Sequence, residues 1–482
     1  MKKFILRFAT ALILIFIVSC SDDFIDIEPT DTVSVNAMYK TDSDFNDAVN
    51  GCYSGLRDVY TTWWWFGDLR GDDSYDELIK GHSYFDLFTV DVDDGTVSTA
   101  WRRWYIIISR CNEILAQIEN KDAAVITNKN RYIGEAKFIR ALSYFNLVRI
   151  WGDVPMVTKP VTATEAYKIA REPLANVYNT VIIPDLLEAE QFLPVKYSGK
   201  LVGKATSGAA KALLGEVYLT LRDFQKAETK LGDLTKSPYT YSLLAEYNDL
   251  FYYDKGEHHA EYIFDIEYIT GGVSLGHGLT NNFTPKDVPT LKFYGLTTGD
   301  GNNNPPFALF DIFVTGDKRK DITAANGFTD AQGVYHQLMP NANDVQTYTR
   351  KYLFVSMSGA GDSGANWKVY RFGDVLLMYA EALNESGKTT EALVELNKIR
   401  TRAGVPVKSG LTQSETRDAI ALERRLELSF EGKRWFDLVR TGKAFSTMAP
   451  IGMKEYMTVW PVPQNQIDLY NDPAIFWQNS GY

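Results

Sequence analysis

The sequence predicts a mostly α-helical protein, a scaffold of tetratricopeptide-type helical repeats carrying a loop-rich, irregular face. Three observations predict it. First, long stretches place apolar residues at the helical period of about 3.6 residues, as with Phe138, Leu142, Phe145 and Val148. Second, "AAKALLGEVYLTLRDFQKAETKLGDL" and "VLLMYAEALNESGKTTEALVELNKIR" share one internal spacing. Gly215, Tyr218 and Ala227 in the first stand where Ala380, Leu383 and Ala392 stand in the other. Small residues at those offsets let two antiparallel helices approach, while the large ones fill the groove between them, as in a tetratricopeptide unit. Third, from about Phe251 to Trp367, Gly, Asn, Thr and Pro dominate ("TGGVSLGHG", "TTGDGNNNPPF") with aromatics scattered among them. Loops this long inside a large domain are expected to carry function.

Taken in order, the chain begins with a short basic region, Met1-Lys2-Lys3 and Arg7, followed by an apolar run from Phe8 to Val18 broken by Thr10. A run this short reads as an export leader, not as a membrane span, which needs roughly 20 residues. Its end, Ile17-Val18-Ser19-Cys20, is similar to the bacterial lipobox, and that similarity implies a lipidated Cys20 at the mature terminus. Several acyl chains, at about 0.8 kcal/mol per buried methylene, would hold the protein on a membrane. The "SDDF" that follows resembles the acidic tether of lipoproteins exposed on the outer face of the outer membrane. The spacing then predicts helices over Phe45–Tyr60, over Trp101–Ile118 with Ser98-Thr99 as cap, and over Glu135–Ile150, which Gly152 and Pro155 end. Ala141 and Tyr144 make the last of these a degenerate repeat helix. Such units cannot bury their own faces, so they are expected to stack on one another despite their distance in sequence. The expected organisation is a leader at 1–19, an N-terminal region at 20–230 and a C-terminal region at 231–482 with its loop-rich insertion, all in one compact unit.

Charge narrows the function. With 61 acidic and 50 basic residues the net charge is −11, and losing Lys2, Lys3 and Arg7 with the leader takes it to −14. An acidic chain without clustered Lys and Arg argues against nucleic acid. Beyond Cys20 only Cys52 and Cys111 remain, free to pair in an oxidising compartment or to stay as buried thiols, and their spacing is not that of a zinc site.

Several stretches imitate catalytic or metal sites. "ERRLELSFEGKRWFDL" carries Glu423, Arg424, Arg425, Glu427, Glu431, Lys433, Arg434 and Asp437, a mixture that reads as a structural ion-pair lattice. "DVDDGT" opens like a calcium loop, but its twelfth position is Arg102, so it reads as a turn into the Trp101 helix. "DGNNN" is oxygen-rich, yet Pro305 stands where a calcium hairpin needs glycine. The five histidines form no H-E-x-x-H, and no phosphate-loop pattern occurs, so no catalytic residue, metal or cofactor is expected.

The tryptophans remain. "TTWWWFGDLRGDDSYD" sets Trp63, Trp64 and Trp65 beside Asp68, Arg70, Asp72, Asp73 and Tyr75. Neighbours in sequence point in different directions, so one or two indoles are expected to pack inward and at least one to meet a ligand. Sugar rings present apolar C–H faces to aromatic planes, and flanking Asp and Arg side chains supply hydrogen bonds to hydroxyls. Tyr84, Phe293 and Tyr294 are further candidates from the loop-rich segments.

"YRFGDVLLMYAEALNESGKTTEALVELNKIRTRAGV", "ALERRLELSFEGKRWFDLVRTG" and the closing "WPVPQNQIDLYNDPAIFWQNSGY", in this order behind a lipobox, resemble the SusD/RagB family of outer-membrane nutrient-binding lipoproteins. "GKATSGAAKALLGEVYL" and "AKFIRALSYFNLVRIWGDVP" fit as well, so the similarity spans nearly the whole mature chain. Two departures, Ser480 in place of a proline and Gln466 in place of a frequent glutamate, touch no chemical role. The resemblance implies a SusD-like glycan-binding protein that does no chemistry, faces the cell exterior and sits as a lid over a SusC-like TonB-dependent transporter. It leaves open a peptide-binding lid of the same family. The alternative from another class is an envelope glycoside hydrolase with two carboxylates flanking the bond.

Overall fold

The computed structural model describes residues 38–76, 82–338 and 347–482. The expected leader and Cys20 lie outside the described residues. Helix α1 (Asp42–Tyr60) begins at a reciprocal cap, in which Thr41 accepts from the Asp44 amide and the Asp44 carboxylate accepts from the Thr41 amide. The single wedge α2 (Trp63–Gly67) follows. Helix α3 (Gly95–Ile118) starts a turn earlier than expected, because Asp94 and not Ser98-Thr99 caps it, accepting from the amides of Thr96 and Val97. The "DVDDGT" stretch is therefore the turn into α3. Helix α4 (Lys129–Trp151) ends at Gly152, whose φ of 72° stops the helix.

Next come α5 (Ile183–Phe192), α6 (Ser207–Thr220) and α7 (Phe224–Asp233). Beyond the loop-rich excursion, which holds α8 (Val288–Phe293), stand α9 (Phe372–Glu385), α10 (Thr389–Ala403), α11 (Gln413–Leu428) and α12 (Arg434–Arg440). Each helix of the scaffold packs on the next in space: α1 on α3, α3 on α4, α4 on α5, α5 on α6, α6 on α7, then α7 on α9 and α9 on α10 and α11. The repeats thus stack across the excursion. The small residues explain how: a Cβ at Gly215 would lie 2.4 Å from Leu231 Cδ2, so only glycine lets α6 close on α7. Buried Ala380 and Ala392 serve the α9–α10 contact.

Strands are few and short. β1 (Val154–Pro155) pairs with β2 (Arg171–Glu172), β3 (Tyr262–Ile266) with β6 (Trp367–Arg371), and β4 (Gly327–Thr329) with β5 (Tyr335–Gln337), all antiparallel. The β3–β6 pair sets Tyr262 opposite Arg371 and Ile266 opposite Trp367, so it fastens the two ends of the excursion together. One core runs from Tyr39 to Phe476, and smaller clusters around Phe430 and around Tyr348 lie under the excursion.

Beneath that face lies an ion-pair lattice. Glu427 pairs with Arg371 at 2.6 Å, with Arg319 at 3.3 Å and with Arg402, while Glu423 pairs with Arg319 at 2.7 Å and with Arg400. Glu431 pairs with Arg371 at 2.8 Å and with Lys351 at 2.7 Å. Burial would lift these carboxyls, but the surrounding cations outweigh it: Glu427 is held well below the ordinary range and Glu431 at about 2. Arg319 and Lys351 belong to the excursion, whereas Glu423 and Glu427 belong to α11. The charged stretch is a structural lattice, and it ties the loops to the scaffold.

Candidate functional site

The excursion encloses an open cleft of about 660 Å³ whose walls include Tyr252, Phe293, Tyr294 and Phe354, all half-buried. Tyr252 and Phe354 come from separate loops joined by a parallel bridge, with Tyr253 N donating to Phe354 O at 3.0 Å and the two rings 4.3 Å apart. Asp254 fixes the same junction by accepting from Ser356 N at 2.9 Å and Ser356 Oγ at 2.6 Å. Phe293 and Tyr294 sit at the end of α8, whose start is capped by Asp287 accepting from Thr290 N. Phe293 stacks on Phe328 at 4.2 Å, and the Tyr294 and Phe354 rings meet edge to face at 5.7 Å.

Polar groups hold these rings in place. Arg350 Nε donates to Tyr294 Oη at 2.6 Å, and its guanidinium lies 4.8 Å from the Phe354 ring centre. The next residue, Lys351, is fully buried and carries the lattice contact to Glu431, so scaffold charge fixes the backbone of this wall. Asn281 ties two rims, its Nδ2 donating to Thr298 O at 3.0 Å and its Oδ1 accepting from Gly361 N at 3.0 Å. Asp362 accepts from the Ser358 hydroxyl, from the amides of Gly271 and Gly272 and from the Thr270 hydroxyl, and those donors hold its carboxyl far below the ordinary range.

The arrangement offers apolar planes edged by hydroxyls, amides and the exposed Lys255. Among the described residues the only acid in its lining is Asp254, which already serves Ser356. Hydrolysis of a glycosidic bond generally takes two carboxyls across the bond. Another cavity, of about 420 Å³, opens between α9, α11 and α12, but several of its charges are already paired with one another. Arg417 pairs with Glu385 at 2.7 Å, Arg424 with Asp437 at 2.9 Å and Arg440 with Glu381 at 2.5 Å, and Phe224 is the one aromatic among its described lining residues.

The structure brings only Phe293 and Tyr294, of the residues singled out in the sequence, into the cleft. Trp63 and Trp64 are core. Trp63 stacks on Phe436 at 5.3 Å with Trp104 on edge, and Trp64 meets Phe283 edge-on with no solvent exposure. Two of the three adjacent indoles thus pack inward, as expected, because α2 is enclosed from several directions at once. Trp65 is half-buried and lies flat against His82 at 4.7 Å, outside the cleft.

The flanking polar residues are equally engaged. Asp68 is buried, accepts from Gly432 N at 2.8 Å and has its carboxyl raised to about 7 by burial. Arg70 is buried between the rings of Phe88 and Trp460, 4.1 and 4.3 Å away. Asp72 pairs with Arg434 at 2.6 Å and Arg425 at 3.0 Å, and buried Asp73 pairs with Arg425. These four residues belong to the scaffold, not to a ligand surface. Tyr75 is half-buried with its backbone paired to Asn304, and half-buried Tyr84 packs on Phe85; neither lines the cleft. Sequence reasoning missed Tyr252 and Phe354. The signals were faint, an aromatic run before a turn in "FYYDKG" and aromatics running into Gly and Ser in "YLFVSMSGAG".

Comparison with known proteins adds the following. Residues 236–455 match the model of the SusD family, and residues 23–219 match a further model described as starch-binding associating with outer membrane. SusD-like protein P2 of Formosa agariphila is 29% identical across the whole of both chains, and a SusD-like protein of Bacteroides ovatus is 27% identical over 91% of this chain and 82% of its own. Among solved structures, a laminarin binding SusD-like protein superimposes with a TM-score of 0.77 at 27% identity, covering 92% of this chain and all of its own. Surface glycan-binding protein A from Bacteroides thetaiotaomicron, in complex with laminarihexaose, gives 0.77 at 22% identity over 91% of this chain and 99% of its own, a likeness of fold.

Proposed function

Because the chain belongs to the SusD family, we propose that it captures glycan chains in the aromatic cleft at the outer membrane and does no chemistry on them. The observation that carries this reading is the cleft itself: four half-buried rings from three segments of the excursion around a space of about 660 Å³. Pyranose C–H faces pack on such rings, and Ser356, Ser358, Thr297 and Lys255 at the rim supply partners for hydroxyls. The laminarin-binding relative, which superimposes over 92% of this chain, supports a sugar over a peptide. In the same reading Cys20 is lipidated, the domain faces the exterior, and a SusC-like TonB-dependent transporter receives the glycan.

The test is affinity electrophoresis of the full chain through native gels cast with laminarin, starch or uronate-containing polysaccharides, together with a reducing-end assay. Retardation by at least one polysaccharide, with no release of reducing ends, is the expected result. Free migration in every gel, or sustained turnover, would refute the reading.

A further inference from the structure

The fold brings together two cysteines that the sequence left apart. Cys52 on α1 and Cys111 on α3 are both completely buried, and their sulfurs lie 3.7 Å apart, the Cys111 thiol directed at Cys52 Sγ. The helices run antiparallel along this contact: Arg110 reaches Gly51 O at 2.8 Å and, two turns on, Arg103 reaches Asp58 O at 2.7 Å. The helices approach closely beside the sulfurs. A Cβ at Gly55, one turn after Cys52, would lie 2.7 Å from Ile107 Cγ1, so glycine is what lets the backbones come close enough for the thiols to touch.

We propose that Cys52 and Cys111 are a disulfide site, closed when the chain folds outside the reducing cytosol and stapling α1 to α3. The compartment rests on the outer-membrane reading above; the geometry does not. A disulfide needs its sulfurs at about 2.05 Å, so a closing movement of roughly 1.7 Å, within reach of side-chain rotation, is required. The oxidant is another disulfide, either glutathione disulfide or a dithiol–disulfide oxidase. The Cys52 thiolate attacks one of its sulfurs and expels a thiolate. Cys111, after losing its proton, then attacks Cys52 Sγ of the mixed disulfide and expels the other thiolate. The protein loses two electrons and two protons, and the oxidant becomes two thiols. Because both sulfurs are sealed in the core, exchange belongs to folding, and the closed bond is protected from reduction in the native state.

The staple also has a structural consequence. α1 leads directly into α2, so tying α1 to α3 fixes the approach of the Trp63–Trp64 wedge to its socket.

The test unfolds the full chain and refolds it in a glutathione redox buffer, then denatures it, alkylates it without reductant and maps the peptides. The expected result is one linked species holding Cys52 and Cys111, lighter than its two peptides by two hydrogen atoms. Alkylation at both positions should fall about ten-fold or more against a chain refolded in dithiothreitol. The melting temperature of the linked chain should fall on reduction, and that of Cys52→Ala should not respond. Refolding outside the cell makes this outcome independent of the protein's address. Full alkylation of both cysteines, or separate glutathione adducts on each, would overturn the proposal.

Discussion

The lattice under α11 and the cleft above it are built from opposite materials. The lattice concentrates charge where water is absent: Glu427 touches three arginines, and Arg371 touches three glutamates. The cleft spreads aromatic rings where water is present, with one carboxylate among its described lining residues. Along the sequence the charged stretch imitates catalytic machinery, whereas the scattered rings imitate loop filler. A buried charge is stable only when paired, so a dense mixture of Glu and Arg marks the interior of this protein. A ligand surface for sugars needs planes and hydroxyls, which scattered Tyr, Phe, Ser and Thr provide without any local pattern.

The largest effects should come from breaking the lattice. Glu427→Ala leaves Arg371, Arg402 and Arg319 facing one another without their shared anion, and should cost about 3–5 kcal/mol or prevent folding outright. Thermal melts of the purified chain read it. Trp64→Ala should cost a similar amount, about 3–5 kcal/mol, through the cavity left against Phe283, with no effect on ligand affinity beyond its effect on folding. A variant that melts normally but fails to bind would return Trp64 to the ligand surface.

Acid should separate the two regions next. Burial would raise the Glu431 and Glu216 carboxyls, but Arg371 and Lys351, and Lys433 and Arg149, outweigh it and hold both at about 2, below the ordinary 4.5. A depressed carboxyl contributes stability that is complete above the unfolded value and lost as pH falls through the folded one. The melting temperature should therefore drop steeply between about pH 4.5 and 2. Affinity should stay level in acid for as long as the fold survives; a steep acid loss of binding before the melt would point to a carboxylate at the ligand.

How much of this was legible depends on how local the signal is. The helices ending at Tyr60, Ile118 and Trp151 were visible because periodicity is written within each segment. The repeat pairs were visible because Gly215 and Ala380 occupy matching offsets, and their stacking follows from the need to bury both faces. The socket of α2 was not visible. Its walls come from Trp104, Phe283, Phe436 and Gly432, elements far apart in the chain, and nothing near Trp63 announces them. Asp72 and Asp73 seemed available in the sequence because their partners, Arg425 and Arg434, stand hundreds of residues later. Phe293 and Tyr294 could be singled out as adjacent rings in a loop-rich stretch, whereas Tyr252 and Phe354 join them only through a backbone bridge.

The smallest effect on stability and the most direct test of the account lie in the cleft. Phe293→Ala and Phe354→Ala, each compared with the unaltered chain, should be titrated by calorimetry with the glycan that most retards the protein in native gels. Half-buried rings at a rim should leave the melting temperature nearly unchanged, while each truncation weakens binding by about 1–3 kcal/mol. Glycan binding that persists at full strength in both folded variants would contradict the assignment of the cleft.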